Sequence, residues 1–296
     1  MRPVILLEVA VLAVFWAWVF SACLFLRNTY LPRLPVAAVP AHLGFPVEPV
    51  QFQATDGVRL EGWTVARDPA QPWIIGCHGL GANRADLIDI MRALSDAGFN
   101  LLLFDFRGHG ASAGRASSFG CREQRDLEGA LAFLGEQSEI PARPYGVYGI
   151  SMGAAVALMV ASRDERIAAV AADSPYADLQ EALERHLRLL YPALPRTPFL
   201  QFVLATYRLR FGVWPRQVSP EAALKAFRRP LLLIQGAEDP RMPRSGAERL
   251  RAAAAGSELW MVEGAGHLES YALQPQAYRD RLVRFFTLTL RPEPPH

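Results

Sequence analysis

Cysteine is scarce in this chain and an excess of charge of either sign is missing. Cys23, Cys77 and Cys121 are the three cysteines, well separated, which excludes a disulfide framework and leaves no Cys/His metal spacing. They do not report a redox compartment. Lys and Arg together number 31 against 29 Asp and Glu, a formal net charge of +2, too small to argue for a nucleic-acid partner. The basic residues are nearly all arginine, read here as a composition bias and not as a binding face. No internal repeat is present. With 51% hydrophobic and 20% charged residues, the 296-residue chain is globular, with a sizeable core in one large or two small domains.

Long apolar runs are confined to the amino terminus. Residues 4–26 are broken only by Glu8, and as a helix these 23 residues would reach roughly 35 Å, enough to cross a hydrocarbon core. A cleaved signal peptide has a shorter apolar region ending at small residues. Here Cys23-Leu24-Phe25-Leu26 stays apolar past Ser21-Ala22, so residues 1–28 are expected to form a membrane anchor. Flanking charges are nearly balanced, Arg2 and the amino terminus against Arg27 and Arg33. Orientation therefore rests on the habit of signal anchors, which leans to the extracytoplasmic side. Residues 29–49 carry Pro32, Pro35, Pro40, Pro46 and Pro49, a stiff connector expected to hold the domain off the bilayer.

From residue 50 onward, β-rich runs alternate with helical ones. Residues 50–54 and 60–66 flank Thr55-Asp56-Gly57 and read as a hairpin. Strands are predicted over 73–77, 100–104, 145–149, 167–172, 231–235 and 259–262, and helices over 84–97, 122–137, 244–254 and 275–288. This alternation implies a mostly parallel sheet with helices on both faces, in which ligands bind at the carboxyl ends of the strands.

At one such end lies Gly149-Ile150-Ser151-Met152-Gly153, which fits G-x-S-x-G, a tight strand-to-helix turn that exposes a serine Oγ. A serine hydroxyl needs a base, usually imidazole. His267 follows the last predicted strand in Glu263-Gly264-Ala265-Gly266-His267. His78 and His109 sit in their own glycine turns, where hydrogen-bonded structural roles are expected. His42, His186 and His296 lie in the connector, a helix and the tail. The base in turn needs an acid to fix its tautomer. Asp239, in Gly236-Ala237-Glu238-Asp239-Pro240, is preferred over its neighbour Glu238 and over Asp173, whose expected role is capping a turn. The order Ser151, Asp239, His267 matches Ser…Asp/Glu…His. The backbone N–H groups of Leu80 and Met152 are candidate oxyanion donors.

His78-Gly79, Asp105-Phe106-Arg107-Gly108-His109-Gly110, the serine elbow, Asp173-Ser174-Pro175-Tyr176, Gly236-Ala237-Glu238-Asp239 and Gly264-Ala265-Gly266-His267 together resemble the α/β-hydrolase superfamily over about residues 50–290. A single amino-terminal anchor with Asp-Ser-Pro-Tyr is similar, more narrowly, to the membrane-anchored BEM46-like serine hydrolases. The resemblance implies an α/β-hydrolase fold, with Ser151 as nucleophile, Asp239 as acid, His267 as base and oxyanion donors at Leu80 and Met152. A serine at the elbow argues against the branches of the fold that carry aspartate there.

Residues 178–229 form an expected helical cap, and 291–296 a tail. Leu179, Leu183, Leu187 and Leu190 recur at helical spacing, and 199–211 is more apolar still. A lid packed on its own core is the plain expectation, an acyl-accommodating or bilayer-touching lid the sharper one. The expected activity is cleavage of ester or thioester bonds through an acyl-enzyme, on a small-molecule or lipid-like acyl substrate, with no cofactor. A peptidase or amidase using the same residues, and a non-catalytic binding protein, are the alternatives.

Overall fold

The computed structural model describes residues 3–37, 46–68, 70–136 and 144–291. The middle of the connector with Pro40 and His42, the end of the helix expected over 122–137, and the tail at 292–296 lie outside the described residues.

Eight strands form one sheet in the order β1-β2-β4-β3-β5-β6-β7-β8. The amino-terminal pair, β1 (Glu48–Gln53) and β2 (Arg59–Val65), is an antiparallel hairpin whose register places Phe52 opposite Leu60. β2 runs antiparallel to β4 (Asn100–Phe104). From there β3 (Trp73–Cys77), β5 (Tyr145–Ile150), β6 (Ile167–Asp173), β7 (Leu231–Gly236) and β8 (Glu258–Val262) continue in parallel. The central strands read as continuous apolar runs because helices cover both of their faces.

One face carries α3 (Gln124–Glu136), α4 (Met152–Ala161) and α8 (Arg244–Ala253), the other α2 (Ile88–Asp96) and, after the single turn α9 (Ser270–Leu273), α10 (Pro275–Leu290). The helix expected over 84–97 opens as a tighter 3₁₀ turn, Arg84–Leu87, because Asn83 and Asp86 close a reciprocal cap there. All ten residues of α4 are buried, which explains its lack of a polar face.

Between β6 and β7 the chain makes α5 (Leu179–Leu190), α6 (Arg196–Phe211), a short 3₁₀ turn and α7 (Pro220–Leu224). Leu179 and Leu183 are buried as their spacing implies, whereas Leu190, Leu209 and Trp214 are exposed.

The amino-terminal helix α1 (Pro3–Thr29) contains a 25-residue apolar stretch, Ile5–Thr29, long enough to cross a membrane. Its last third docks on the domain through the i, i+4 stripe Ser21, Phe25 and Thr29, all buried. Phe25 meets Phe119, Tyr207 and Phe211 at ring distances of 6.0, 6.0 and 6.3 Å. Residues 30–37 then lie against the domain instead of spacing it away. Arg33 donates to the carbonyls of Gly110, Ser112 and Gly114, and Asn83 Nδ2 reaches the carbonyls of Leu34 and Pro35. Proline stiffness does set an extended path, but these carbonyl partners and the burial of Phe25 hold that path on the surface.

Candidate active site

Ser151 sits between β5 and α4 with φ +50° and ψ −115°, a strained conformation for a residue with a side chain. The turn closes this tightly because both flanking glycines lack a Cβ. A Cβ on Gly149 would lie 2.6 Å from the Gly153 carbonyl oxygen, and one on Gly153 would lie 2.2 Å from that of Cys77. The Ser151 N–H donates to the Asp173 carbonyl at 2.8 Å, tying the elbow to the end of β6.

His267 arrives from the loop after β8. Glu269 Oε2 accepts from the Gly266 N–H at 2.8 Å and shapes that loop. The preceding loop after β7 is stitched to it, with Ala237 N–H donating to Val262 O and Glu238 N–H to Ala265 O, both at 2.9 Å. The three predicted side chains thereby meet. Ser151 Oγ is 3.1 Å from His267 Nε2, and His267 Nδ1 is 2.7 Å from Asp239 Oδ2. Asp239 is buried while Glu238 is exposed. Burial raises the Asp239 carboxyl, but the bond and charge of His267 and the N–H groups of Met242 and Arg241 outweigh it, leaving it below its ordinary value. An ionised Asp239 accepts from Nδ1–H, so Nε2 is free to accept from Ser151.

Ser151, His267, Gly79 and Leu80 line a pocket of about 160 Å³ roofed by Ala182 and His186 of α5. Met152 is the first residue of α4, so its N–H has no carbonyl one turn back. Leu80 follows β3 in the turn beside the elbow, where a Cβ on Gly79 would lie 3.5 Å from Ser151 Cβ.

A model of the alpha/beta hydrolase family matches residues 74–281. The chain belongs to the alpha/beta hydrolase family. It is 33% identical over 234 residues to the Bacillus subtilis protein YqkD, covering 77% of this chain and 75% of that one. The Pyrococcus furiosus esterase Pf2001 superposes with a TM-score of 0.74 at 26% identity, over 90% of this chain and 99% of that chain. The esterase domain of a Rhodothermus marinus protein gives 0.60 at 26% identity, over 83% and 100%.

In this α/β-hydrolase the other titratable candidates are engaged elsewhere. His78 Nδ1 faces the Gly79 carbonyl at 2.7 Å and Nε2 accepts from the Phe106 N–H at 2.9 Å, which defines a neutral, buried tautomer. Burial pushes its pKa down to about 3. His109 Nδ1 likewise meets the Arg107 carbonyl at 2.9 Å. Asp173 does not bond His267. Its carboxyl accepts from Tyr278 at 2.7 Å and Ser174 at 2.8 Å, and Tyr278 in turn meets the Tyr148 hydroxyl at 2.8 Å. Burial pushes Asp173 up to about 6.

Sequence reasoning missed two supports of the hydrolase site. Gln235 Nε2 donates to Asp239 Oδ2 at 3.2 Å and to Met242 O at 2.8 Å, bracing the carboxylate from below. Its signal was a lone amide at the end of an apolar strand. Tyr278, on α10, carries no local signal at all. Among the described residues, no three His, Cys, Asp or Glu side chains gather as metal ligands.

Proposed function

We propose that this hydrolase is a membrane-anchored serine esterase acting through an acyl-enzyme. The observation that carries the reading is the continuous chain of contacts from Ser151 Oγ to His267 Nε2 and from His267 Nδ1 to Asp239. His267 takes the Ser151 proton as Oγ attacks the ester carbonyl, and Asp239 stabilises the imidazolium. The N–H groups of Leu80 and Met152 hold the tetrahedral oxyanion. The leaving alkoxide receives the proton from His267, and water then repeats the sequence on the acyl-enzyme. Similarity to two proteins named as esterases supports an ester substrate class.

The anchor reading is supported by the length and apolarity of α1. Residues 3–16, outward of the half-buried residues 17–19 and of the Phe20–Phe199 ring contact, would reach about 21 Å into a hydrocarbon core. On this reading the cap sits at the membrane surface. The proposed organisation is an anchor to residue 28, a connector to 49 and a hydrolase domain over 50–290 with its cap at 178–229, akin to the BEM46-like group.

A fluorophosphonate probe tests the reading. Labelling of the wild type and its loss in Ser151→Ala are expected, together with turnover of esters over aminopeptides. Preferred turnover of aminopeptides would reassign the site to a peptidase. No labelling would leave a binding protein.

A further inference from the structure

The Ser151 pocket is bordered by two surfaces of opposite chemistry. On one side it shares Ala182, Arg241 and Met242 with a larger cleft of about 370 Å³ between α5 and α8. The acids of that cleft are already engaged. Glu181 pairs with Arg249 at 2.5 Å, Glu184 with Arg188 at 2.9 Å, and Asp178 caps α5 through the N–H groups of Gln180 and Glu181. Arg185 and Arg241 are exposed there, and neither guanidinium has a carboxylate partner among the described residues. The charge left over for a ligand is therefore positive.

On the other side, His186 lines both the Ser151 pocket and a narrow apolar crevice of about 40 Å³. Leu24 and Phe25 of α1 form one wall of this crevice, and Leu183, Leu187 and Val203 of α5 and α6 the other. The same helix α1 continues outward as an exposed apolar surface, with Leu6, Leu7 and Trp16 at 71%, 65% and 63% exposure.

Resting on the esterase reading, we propose that the substrate is an anionic amphiphile. The first methylenes of its acyl chain enter the crevice between anchor and cap and the rest lies along α1, while its leaving group carries a carboxylate or phosphate to Arg185 and Arg241. Guanidinium forks match the oxygens of either anion. An aliphatic chain leaving the bilayer along α1 would meet Leu24 and Phe25 in the crevice that His186 also lines. In the reaction the bond from Ser151 Oγ to the acyl carbon forms as the ester C–O bond breaks. The anionic alcohol leaves with the proton from His267, and water releases the fatty acid.

The test uses the full chain and matched butanoyl and dodecanoyl esters of phenol, 3-hydroxybenzoate and resorcinol monophosphate, reading kcat/KM. The ratio of anionic to neutral ester should fall about fivefold in Arg185→Gln and Arg241→Gln, and in the wild type as salt is raised. The two anionic esters separate carboxylate from phosphate recognition. The ratio of dodecanoyl to butanoyl ester should fall about tenfold in Leu187→Trp and in Leu24→Trp. Unchanged ratios in the arginine variants or in both tryptophan variants overturn the proposal. Fluorophosphonate labelling of each variant runs in parallel. Unchanged ratios with labelling intact reject the amphiphile alone, whereas an unlabelled wild type rejects the esterase reading beneath it.

Discussion

Asp239 Oδ2 lies 2.7 Å from His267 Nδ1, while its other oxygen accepts from the backbone N–H groups of Arg241 at 2.8 Å and Met242 at 2.9 Å. These two N–H groups hold the carboxylate still, so it can select the imidazole tautomer. In Asp239→Asn the amide can donate to Nδ1 and trap the opposite tautomer, with Nε2 protonated toward Ser151. An ester kcat lower by about 10³–10⁴ is expected, with little change in KM or thermal midpoint. A loss under tenfold would remove Asp239 from the proposed role.

Asp173 offers a pH signature distinct from the chemistry. Its carboxyl is raised from the ordinary 3.8 to about 6, chiefly by burial. The folded state thus holds this proton more tightly than the unfolded chain. The associated stability is fully present below the ordinary value and is lost as pH rises through the folded one. Asp173→Asn cannot ionise. The stability of the wild type relative to this variant should therefore fall by about 2–3 kcal/mol between pH 4 and pH 7, measured by denaturant titration. A pH-independent difference would mean that the carboxyl is ionised throughout.

The elbow leaves no room for a methyl group at Gly153, whose added Cβ would lie 2.2 Å from Cys77 O and 2.5 Å from His78 O. Both obstacles are backbone, so no side chain can swing away. Gly153→Ala should cost about 3 kcal/mol in chemical unfolding and slow fluorophosphonate labelling, since relief of the clash moves the turn that carries Leu80. An unaltered midpoint and labelling rate would count against this packing account.

Docking of α1 on the domain rests largely on Phe25, 3% exposed among Phe119, Tyr207 and Phe211. Phe25→Ala should weaken that contact by about 3 kcal/mol. Hydrogen exchange should quicken in α6 and residues 29–37 while the sheet stays protected. Equal exchange in the two proteins would show that the helix is not held there.

The fold was legible in the sequence because its strands are local apolar runs bounded by turn residues, and alternation with helices leaves few topologies. Candidate site residues were legible for the same reason: Ser151, Asp239 and His267 each follow a strand, and a parallel sheet gathers such ends along one edge. Other features depended on contacts between residues far apart in the chain. Asp173 and Asp239 both stand at strand ends with the same chemistry. Hydrogen bonds from the Asp239 loop to the His267 loop aim Asp239 at the imidazole, while Tyr278 claims Asp173. The connector's path is also tertiary, since proline predicts extension but Arg33 and Phe25 find their partners only on the assembled surface. Local pattern determined which residues could take part; packing across the sheet edge decided which of them touch.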